Sequence, residues 1–465
     1  MTNLLLDTDS YKHSHAKQYP PGTRHVFSYL EARGGEYPDT LFFGLQMILK
    51  EKFMRPITLE NILEAEAVVT AHGLPFNKDG WMYILKMHRG MLPILIKAVP
   101  EGSVVPTGNV LMTVVNTDPE VPWLTNFIET MLMRVWYPTT VATASFHLKK
   151  LLRGYVEKTS DIDPKEALRF MLHDFGARGC SGTEESGIGG MSHLVNFYGT
   201  DTLQGLVYAR KYYNGDVAEG YSIPAAEHST ITSWGRDNEK KAFENMVNLY
   251  AGEGKAYSVV SDSYDIYNAV RMWGEDLKDK VIASKGRLVI RPDSGNPVKI
   301  VPQIMTQLMS SYGCYENSKG YKVLPDCVRV IQGDGVNPES IKRIMDALVE
   351  RKMSSDNIVF GMGGALLRKH DRDTLSFAMK CSAINKNRLW YDVYKSPVTD
   401  GGLNKASKRG RLTLINDGDG YKTIRIDELP TGWTDKRIEL LNVVFENGIL
   451  CRDVSFNDVR TKVPL

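Results

Sequence analysis

Between residues 166 and 375 short apolar runs alternate with polar, glycine-rich breaks and with stretches of helical spacing. Ala256-Tyr257-Ser258-Val259-Val260 reads as a strand, and Tyr264 to Trp273 then carries apolar positions at helical intervals. Leu288-Val289-Ile290 leads through Arg291-Pro292-Asp293-Ser294-Gly295 to a helix around Ile300 to Met309. Val328 to Ile331 leads through Gly333-Asp334-Gly335 to a helix opening at Asn337-Pro338-Glu339-Ser340. Ile358-Val359-Phe360 leads through Gly361 to Gly364 into Ala365-Leu366-Leu367. His173-Asp174-Phe175, Glu227-His228 and Ser261-Asp262-Ser263 are further polar breaks after apolar runs. Gly199-Thr200-Asp201, after Leu194 to Phe197, fits the series more loosely. Later break centres lie roughly 30 residues apart, the length of one strand-plus-helix unit. The pattern predicts a parallel βα barrel, in which the loops at strand ends build the active site.

The chain ends read differently. Leu92 to Val99 and Val110 to Val115 are strand-like, separated by turn residues at Glu101-Gly102 and Thr107-Gly108-Asn109. Leu45 to Phe53, Leu59 to Ala71 and Trp123 to Val135 have helical spacing. Past residue 375, Arg411 to Ile415 and Tyr421 to Ile426 flank the turn Asn416-Asp417-Gly418-Asp419-Gly420 as a hairpin. Leu441 to Phe445 and Ile449 to Val454 make a second around Glu446-Asn447-Gly448. The expected class is α/β: a barrel-like βα domain at 151–375 beside a β-rich α+β domain built from 1–150 and 376–465.

Composition narrows the function. The 465 residues are 42% hydrophobic, enough for two domains. Fifty-seven basic and 55 acidic residues leave a net charge of +2, which argues against nucleic-acid binding through bulk charge. Five scattered cysteines with no CxxC pair predict reduced thiols and a cytoplasmic protein without structural zinc. The start of the chain turns acidic at Asp7 and does not read as a signal peptide, and no run approaches a membrane span.

The breaks carry the chemistry. Arg291 offers a fork for phosphate oxygens, and Asp293 can accept from ribose hydroxyls or hold a hydrated Mg²⁺. A surface ion pair on a Pro-Gly turn is the alternative for the isolated motif, and its company at the other strand ends favours function. Gly333-Asp334 alone is an ordinary turn; beside a sugar, its acid would take a hydroxyl. Gly361 to Gly364 before a helix can hold phosphate on backbone N–H groups, or can merely need a positive φ. Ser261-Asp262-Ser263 fits a helix cap as well as a functional acid. His228, beside Glu227, is a structural or a reactive histidine. Phe175 and Arg178 offer a stacking face and a phosphate clamp, with a core Phe as the alternative for the first. Arg372, Lys380 and Lys395, and the basic stretch Lys405, Lys408, Arg409, Arg411, default to solvated charge unless a polyanion is bound.

These motifs together resemble the nicotinamide phosphoribosyltransferase family. The resemblance rests on LDTDSYKHSH (6–15), HDFGARG (173–179), NFYGTDT (196–202), IPAAEHSTITSWG (223–235), SVVSDSYDIYNA (258–269), IRPDSGNP (290–297), RVIQGDGV (329–336) and FGMGGALL (360–367), in order along nearly the whole chain. It implies a type II phosphoribosyltransferase fold and a homodimer with active sites at the subunit interface. It implies transfer of phosphoribose from phosphoribosyl pyrophosphate to nicotinamide, with Mg²⁺ as cofactor and ATP as coupled co-substrate. Phe175 and a second subunit's Tyr11 are then expected to sandwich the nicotinamide ring, and Asp201 to accept from its carboxamide. Arg291 and Asp293 are expected near the amide-side pocket, ribose and Mg²⁺-bound phosphate, with Asp293 the metal contact, possible through water. Gly333 and Asp334 would bind ribose hydroxyls, and Gly363 and Gly364 the 5′-phosphate. Arg178, with Arg372, Lys380 and Lys395 from the second subunit, would hold phosphates. His228 resembles the family's phosphorylatable histidine, with Glu227 and Asp262 orienting its ring. Nicotinate phosphoribosyltransferase is the nearest alternative, and Asp201 discriminates against it. An extracellular signalling protein on the same fold is the alternative of a different class, and the filled ligand-facing positions speak against it.

Overall fold

The computed structural model describes residues 3–396, 407–418, 420–429 and 439–464. Lys405 and Asp419 lie outside these described residues. The chain folds as two compact units. One comprises Met1–Thr143, Arg210–Gly215 and His370–Pro464; the other comprises Ala144–Ala209 and Asp216–Lys369.

The first unit is built on an antiparallel sheet of seven strands. Their order is Leu389–Asp392, Phe377–Lys386, Thr23–Ala32, Val110–Asn116, Ile94–Ala98, Asn442–Glu446, Ile449–Leu450. Thr23–Ala32 bonds to Phe377–Lys386 on one side and to Val110–Asn116 on the other. That pairing brings both chain ends into one core. Positions 26 to 32 are all buried, because the sheet is covered on both faces there. The expected hairpin at Leu412–Asn416 and Tyr421–Arg425 is present. In the second hairpin the return arm is ordered as strand only at Ile449–Leu450, short of the expected Val454.

The second unit is a curled sheet of six parallel strands. The order is Gly199–Thr200, Leu172–Asp174, Ile358–Met362, Val328–Gln332, Arg287–Arg291, Ala256–Val260. The strand centres are apolar and buried, as parallel strands covered by helices must be: Val259, Ile290, Val330 and Phe360 are all at 0% exposure. Helices Pro297–Tyr312 and Pro338–Glu350 start with an Asn cap followed by Pro, whose fixed φ suits the first turn. Segment 221–226 touches both edges of the sheet. Tyr221 bridges Gly199, and Ala225 bridges Ser258. Four backbone bonds fasten it: Thr200 N to Tyr221 O at 3.0 Å, Tyr221 N to Tyr198 O at 2.7 Å, Ser258 N to Pro224 O at 2.8 Å and Ala226 N to Ser258 O at 2.9 Å. The ring is thus closed by a stave too short to be a strand.

Two expectations need correction. Leu194 to Phe197 is not the strand before Asp201; it follows the helix Thr183–His193, and the strand is Gly199–Thr200 itself. The run before Glu227 forms bridges only, because Pro224 has no N–H to donate. Among the described residues no helix is long and apolar enough to cross a membrane.

Candidate active site

Parallel strands end on one rim, so the polar breaks of the second unit share an edge. Phe175 follows Leu172–Asp174, and its N–H donates to Met362 O at 2.9 Å. Its ring lies over two glycines. A Cβ on Gly361 would fall 2.0 Å from Phe175 Cε2, so only glycine fits. A Cβ on Gly333 would fall 3.5 Å from the same ring atom, 3.5 Å from Arg291 Cδ and 3.6 Å from Asp293 Oδ1. One glycine backbone therefore abuts the aromatic, the guanidinium stem and the acid together. Arg291 Nε lies 3.5 Å from Asp293 Oδ1 as an ion-pair contact, and that buried nitrogen has no hydrogen-bond partner among the described residues.

Asp174, fully buried, supports this corner. Its Oδ1 accepts from Gly176 N at 2.7 Å, and its Oδ2 from Thr200 Oγ1 at 3.4 Å. Burial pushes its carboxyl up to about 6. Its carbonyl accepts from Asp201 N at 2.9 Å. The exposed Asp201 carboxylate accepts from Ser222 Oγ at 2.5 Å. Burial holds the neighbouring His173 imidazole below its usual range, with Asp201 opposing.

His228 and Asp262 meet across the rim, Nε2 to Oδ1 at 3.1 Å. The acid side chain is 3% exposed and the histidine 46%, so a buried carboxylate presents a reachable imidazole. Glu227 is brought to Ser229, whose hydroxyl donates to it, rather than to the imidazole. The helix after Ala256–Val260 is capped by Asp265, which accepts from Tyr267 N and Asn268 N. Asp262 is thus not the cap, and the two readings left open by the sequence separate. Glu239, missed in the sequence because it sits within a helical pattern, is a buried acid whose carboxyl is pushed up by burial first and then by Asp265 and Asp262.

The remaining second-unit residues stand around this edge. Gly363 precedes the four-residue helix Gly364–Leu367 without a side-chain cap, and a Cβ on Gly364 would meet nothing within 4 Å. Arg178 is exposed on the turn Ala177–Gly179, whose Gly179 would carry a Cβ 3.2 Å from Gly364 Cα. Asp334 is exposed, with its carbonyl accepting from Gln332 Nε2 at 2.7 Å.

The first unit holds the other expected residues. Tyr11, Arg372, Lys380 and Lys395 line one cleft of about 1350 Å³, with Arg33, Arg134 and Lys408 adding cations and Asp9, Glu31, Glu129 and Asp373 adding acids. Tyr11 is 56% exposed. The Lys380 ammonium is pushed down by burial first; Arg33, Lys395 and Arg372 push the same way, against Glu129. Lys408 is not merely solvated charge: its ammonium pairs with buried Glu31. Arg33 and Glu31 escaped the sequence reading because their strand did. Among the described residues no group of three or more His, Cys, Asp or Glu side chains could hold a metal ion.

Comparison with known proteins accords with this geometry. The model of the nicotinate phosphoribosyltransferase family matches residues 170–449, and that of the nicotinamide phosphoribosyltransferase N-terminal domain matches residues 3–96. A nicotinamide phosphoribosyltransferase of Xanthomonas campestris pv. campestris (strain 8004) is 53% identical over 463 residues, spanning 99% of this chain and 98% of that one. One of Acinetobacter baylyi (strain ATCC 33305 / BD413 / ADP1) is 31% identical over 497 residues, spanning 99% and 97%. Among solved structures, a nicotinate-nucleotide pyrophosphorylase from Pyrococcus furiosus aligns with a TM-score of 0.62 at 16% identity, covering 99% of this chain and 95% of that one. A human nicotinic acid phosphoribosyltransferase aligns at 0.56 and 15% identity, covering 98% and 92%. These two structural likenesses carry the fold alone.

Two outcomes are expected from the geometry. Gly361→Ala should destabilise the protein by about 1–3 kcal/mol in urea unfolding, since the new methyl must displace the Phe175 ring. Gly364→Ala, with open space around it, should change stability little. Asp174 has a folded-state pKa above its unfolded value, so its stabilising contribution is full below about 3.8 and is lost as pH rises through about 6. Asp174→Asn should remove a loss of roughly 3 kcal/mol over that window. The test is the difference between wild-type and variant unfolding free energies at pH 4 and pH 7; an identical difference at both would refute the assignment.

Proposed function

The chain belongs to the nicotinamide phosphoribosyltransferase family, pentosyltransferases of NAD salvage, and we propose that it transfers phosphoribose from phosphoribosyl pyrophosphate to nicotinamide. The observation that carries this reading is the packing at Phe175, whose ring is held against Gly361 and Gly333 beside Arg291 and Asp293. A planar amide lying against Phe175 would offer its carboxamide N–H to Asp201. Its ring nitrogen would attack the anomeric carbon as the bond to the pyrophosphate oxygen breaks. Positive charge develops on the ribose, so alignment and charge stabilisation matter more than a covalent nucleophile.

The other roles follow from what each group can do. Asp334 and the Gly333 backbone would accept and donate to ribose hydroxyls, and the uncapped N–H groups at Gly363 and Gly364 would take the 5′-phosphate. Arg178 would clamp phosphate oxygens. Tyr11, Arg372, Lys380 and Lys395 would come from a second copy in a homodimer, Tyr11 as the opposite ring face and the cations on pyrophosphate. The acids are too dispersed for a resident metal cage. Asp293 fits instead as a water-mediated contact to Mg²⁺ carried in by the substrate, which would neutralise pyrophosphate charge. ATP coupling would use His228. Asp262, 3.1 Å from Nε2, would hold the proton on that nitrogen and leave Nδ1 to accept the γ-phosphoryl group as ADP departs. Glu227, held by Ser229, would shape the loop.

Nicotinate would bring its own carboxylate to Asp201, a like-charge contact that costs several kcal/mol. Asp201→Asn and Asp201→Ser should therefore raise kcat/KM for nicotinate relative to nicotinamide by about 100-fold; unchanged preference would exclude the amide role. His228→Ala should abolish stimulation of synthesis by ATP in a protein of unaltered circular dichroism. Normal stimulation in that variant would exclude the phosphohistidine.

A further inference from the structure

We propose that Glu31 is the positioning residue of the basic cleft, orienting Arg33 and Lys408 for a pyrophosphate group. The proposal rests on the reading above that this cleft receives the phosphates. Glu31 sits near the end of the central strand Thr23–Ala32, opposite Ala378 on one neighbour and Val110 on the other. Ala378 lines the cleft too, and its small side chain leaves the carboxylate within reach of it. The Glu31 side chain is only 3% exposed. A carboxylate so buried is tolerated only with its charge paired.

Two cations pair it. Arg33 approaches with Nε at 3.3 Å, and the Lys408 ammonium makes the closer contact. Lys408 is fixed a second time through Tyr29, whose hydroxyl accepts from Lys408 N at 2.9 Å. Its ammonium also lies 5.9 Å from the Tyr29 ring centre. The anchoring passes along the chain: Lys395 N donates to Ser407 Oγ at 3.0 Å, and Ser407 N donates to Lys395 O at 3.3 Å. A rigid Lys408 therefore helps fix Lys395 as well.

The second observation is on Arg33 itself. Its Nη2 is buried and has no hydrogen-bond partner among the described residues. An arginine carries five donors in a fixed fork. Here Glu31 takes the Nε edge, a terminal nitrogen stays buried without a partner among the described residues, and Arg33 as a residue lines a cleft rich in cations. A buried donor without a partner costs stability, and a phosphate oxygen would satisfy it. Glu31 is thus an acid in an anion site, and its sign is what makes it testable. As plain charge it weakens anion binding, whereas as a positioning group it strengthens it.

The experiment is calorimetric titration of the full-length protein with inorganic pyrophosphate, beside KM values for phosphoribosyl pyrophosphate and nicotinamide. Glu31→Gln keeps the shape and removes the charge. Positioning predicts at least a tenfold weaker pyrophosphate Kd and a matching rise in the phosphoribosyl pyrophosphate KM. The nicotinamide KM should stay within twofold, and Glu31→Asp should recover part of the loss. Equal or tighter pyrophosphate binding in Glu31→Gln overturns the positioning role while leaving the function standing. If that variant is insoluble, Glu31→Asp, which keeps the charge and shortens its reach, should by itself weaken pyrophosphate binding; undiminished binding there overturns the role too. Wild-type protein that binds no pyrophosphate overturns both the role and the reading of the cleft.

Discussion

A ring of short parallel strands needs every edge bonded, and here that requirement is met by segment 221–226. Without its bonds to Thr200 and to Ser258, the strands Gly199–Thr200 and Ala256–Val260 would be open edges of a six-stranded curl. The stave also decides where chemistry can occur. It ends at Ala226, whose N–H is fixed to Ser258, so Glu227 and His228 emerge on the same rim as Asp262. Meanwhile Ser222, within the same stave, donates to Asp201. One six-residue stretch therefore bonds to Asp201 at one end and sets the position of His228 at the other.

The rim is tight at Phe175 and open a few residues on. Gly361 and Gly333 allow backbone to approach the ring and the Arg291–Asp293 pair. At Gly364 no neighbour within 4 Å demands a small residue, whereas at Gly361 the Phe175 ring does. Packed and unpacked glycines thus stand within one loop.

What was legible in the sequence was local. The run 256–260, the helix Leu59–Ala71 and the hairpin around 416–420 follow from neighbouring residues alone, and they stand where the pattern predicted. The strand Thr23–Ala32 was not legible. Its last seven positions are buried without alternation, Glu31 interrupts its apolar character, and its partner strand lies more than 300 residues away. The rim residues were readable because strand ends announce themselves. Arg372, Lys380 and Lys395 were readable only as charge, and Tyr11 not at all: they sit in the other unit, and the family resemblance alone gave them a role. Asp262 shows a third case. Spacing alone allowed a cap or a functional acid, and the separation came from Asp265 taking the capping bonds.

Charge in the cleft follows the same economy as the whole chain. Six cationic side chains line it, and four acids line it with them. A site built to bind pyrophosphate as tightly as possible would omit the acids. A transferase must let pyrophosphate go, so tight, uniform binding of that group would slow turnover without assisting the transfer. The four acids temper the field of the six cations. Lys380 has its ammonium pushed down by burial first and then by Arg33, Lys395 and Arg372, with Glu129 opposing them. In a chain of net charge +2, what this cleft can offer an anion is set by where a few donors point rather than by how many there are.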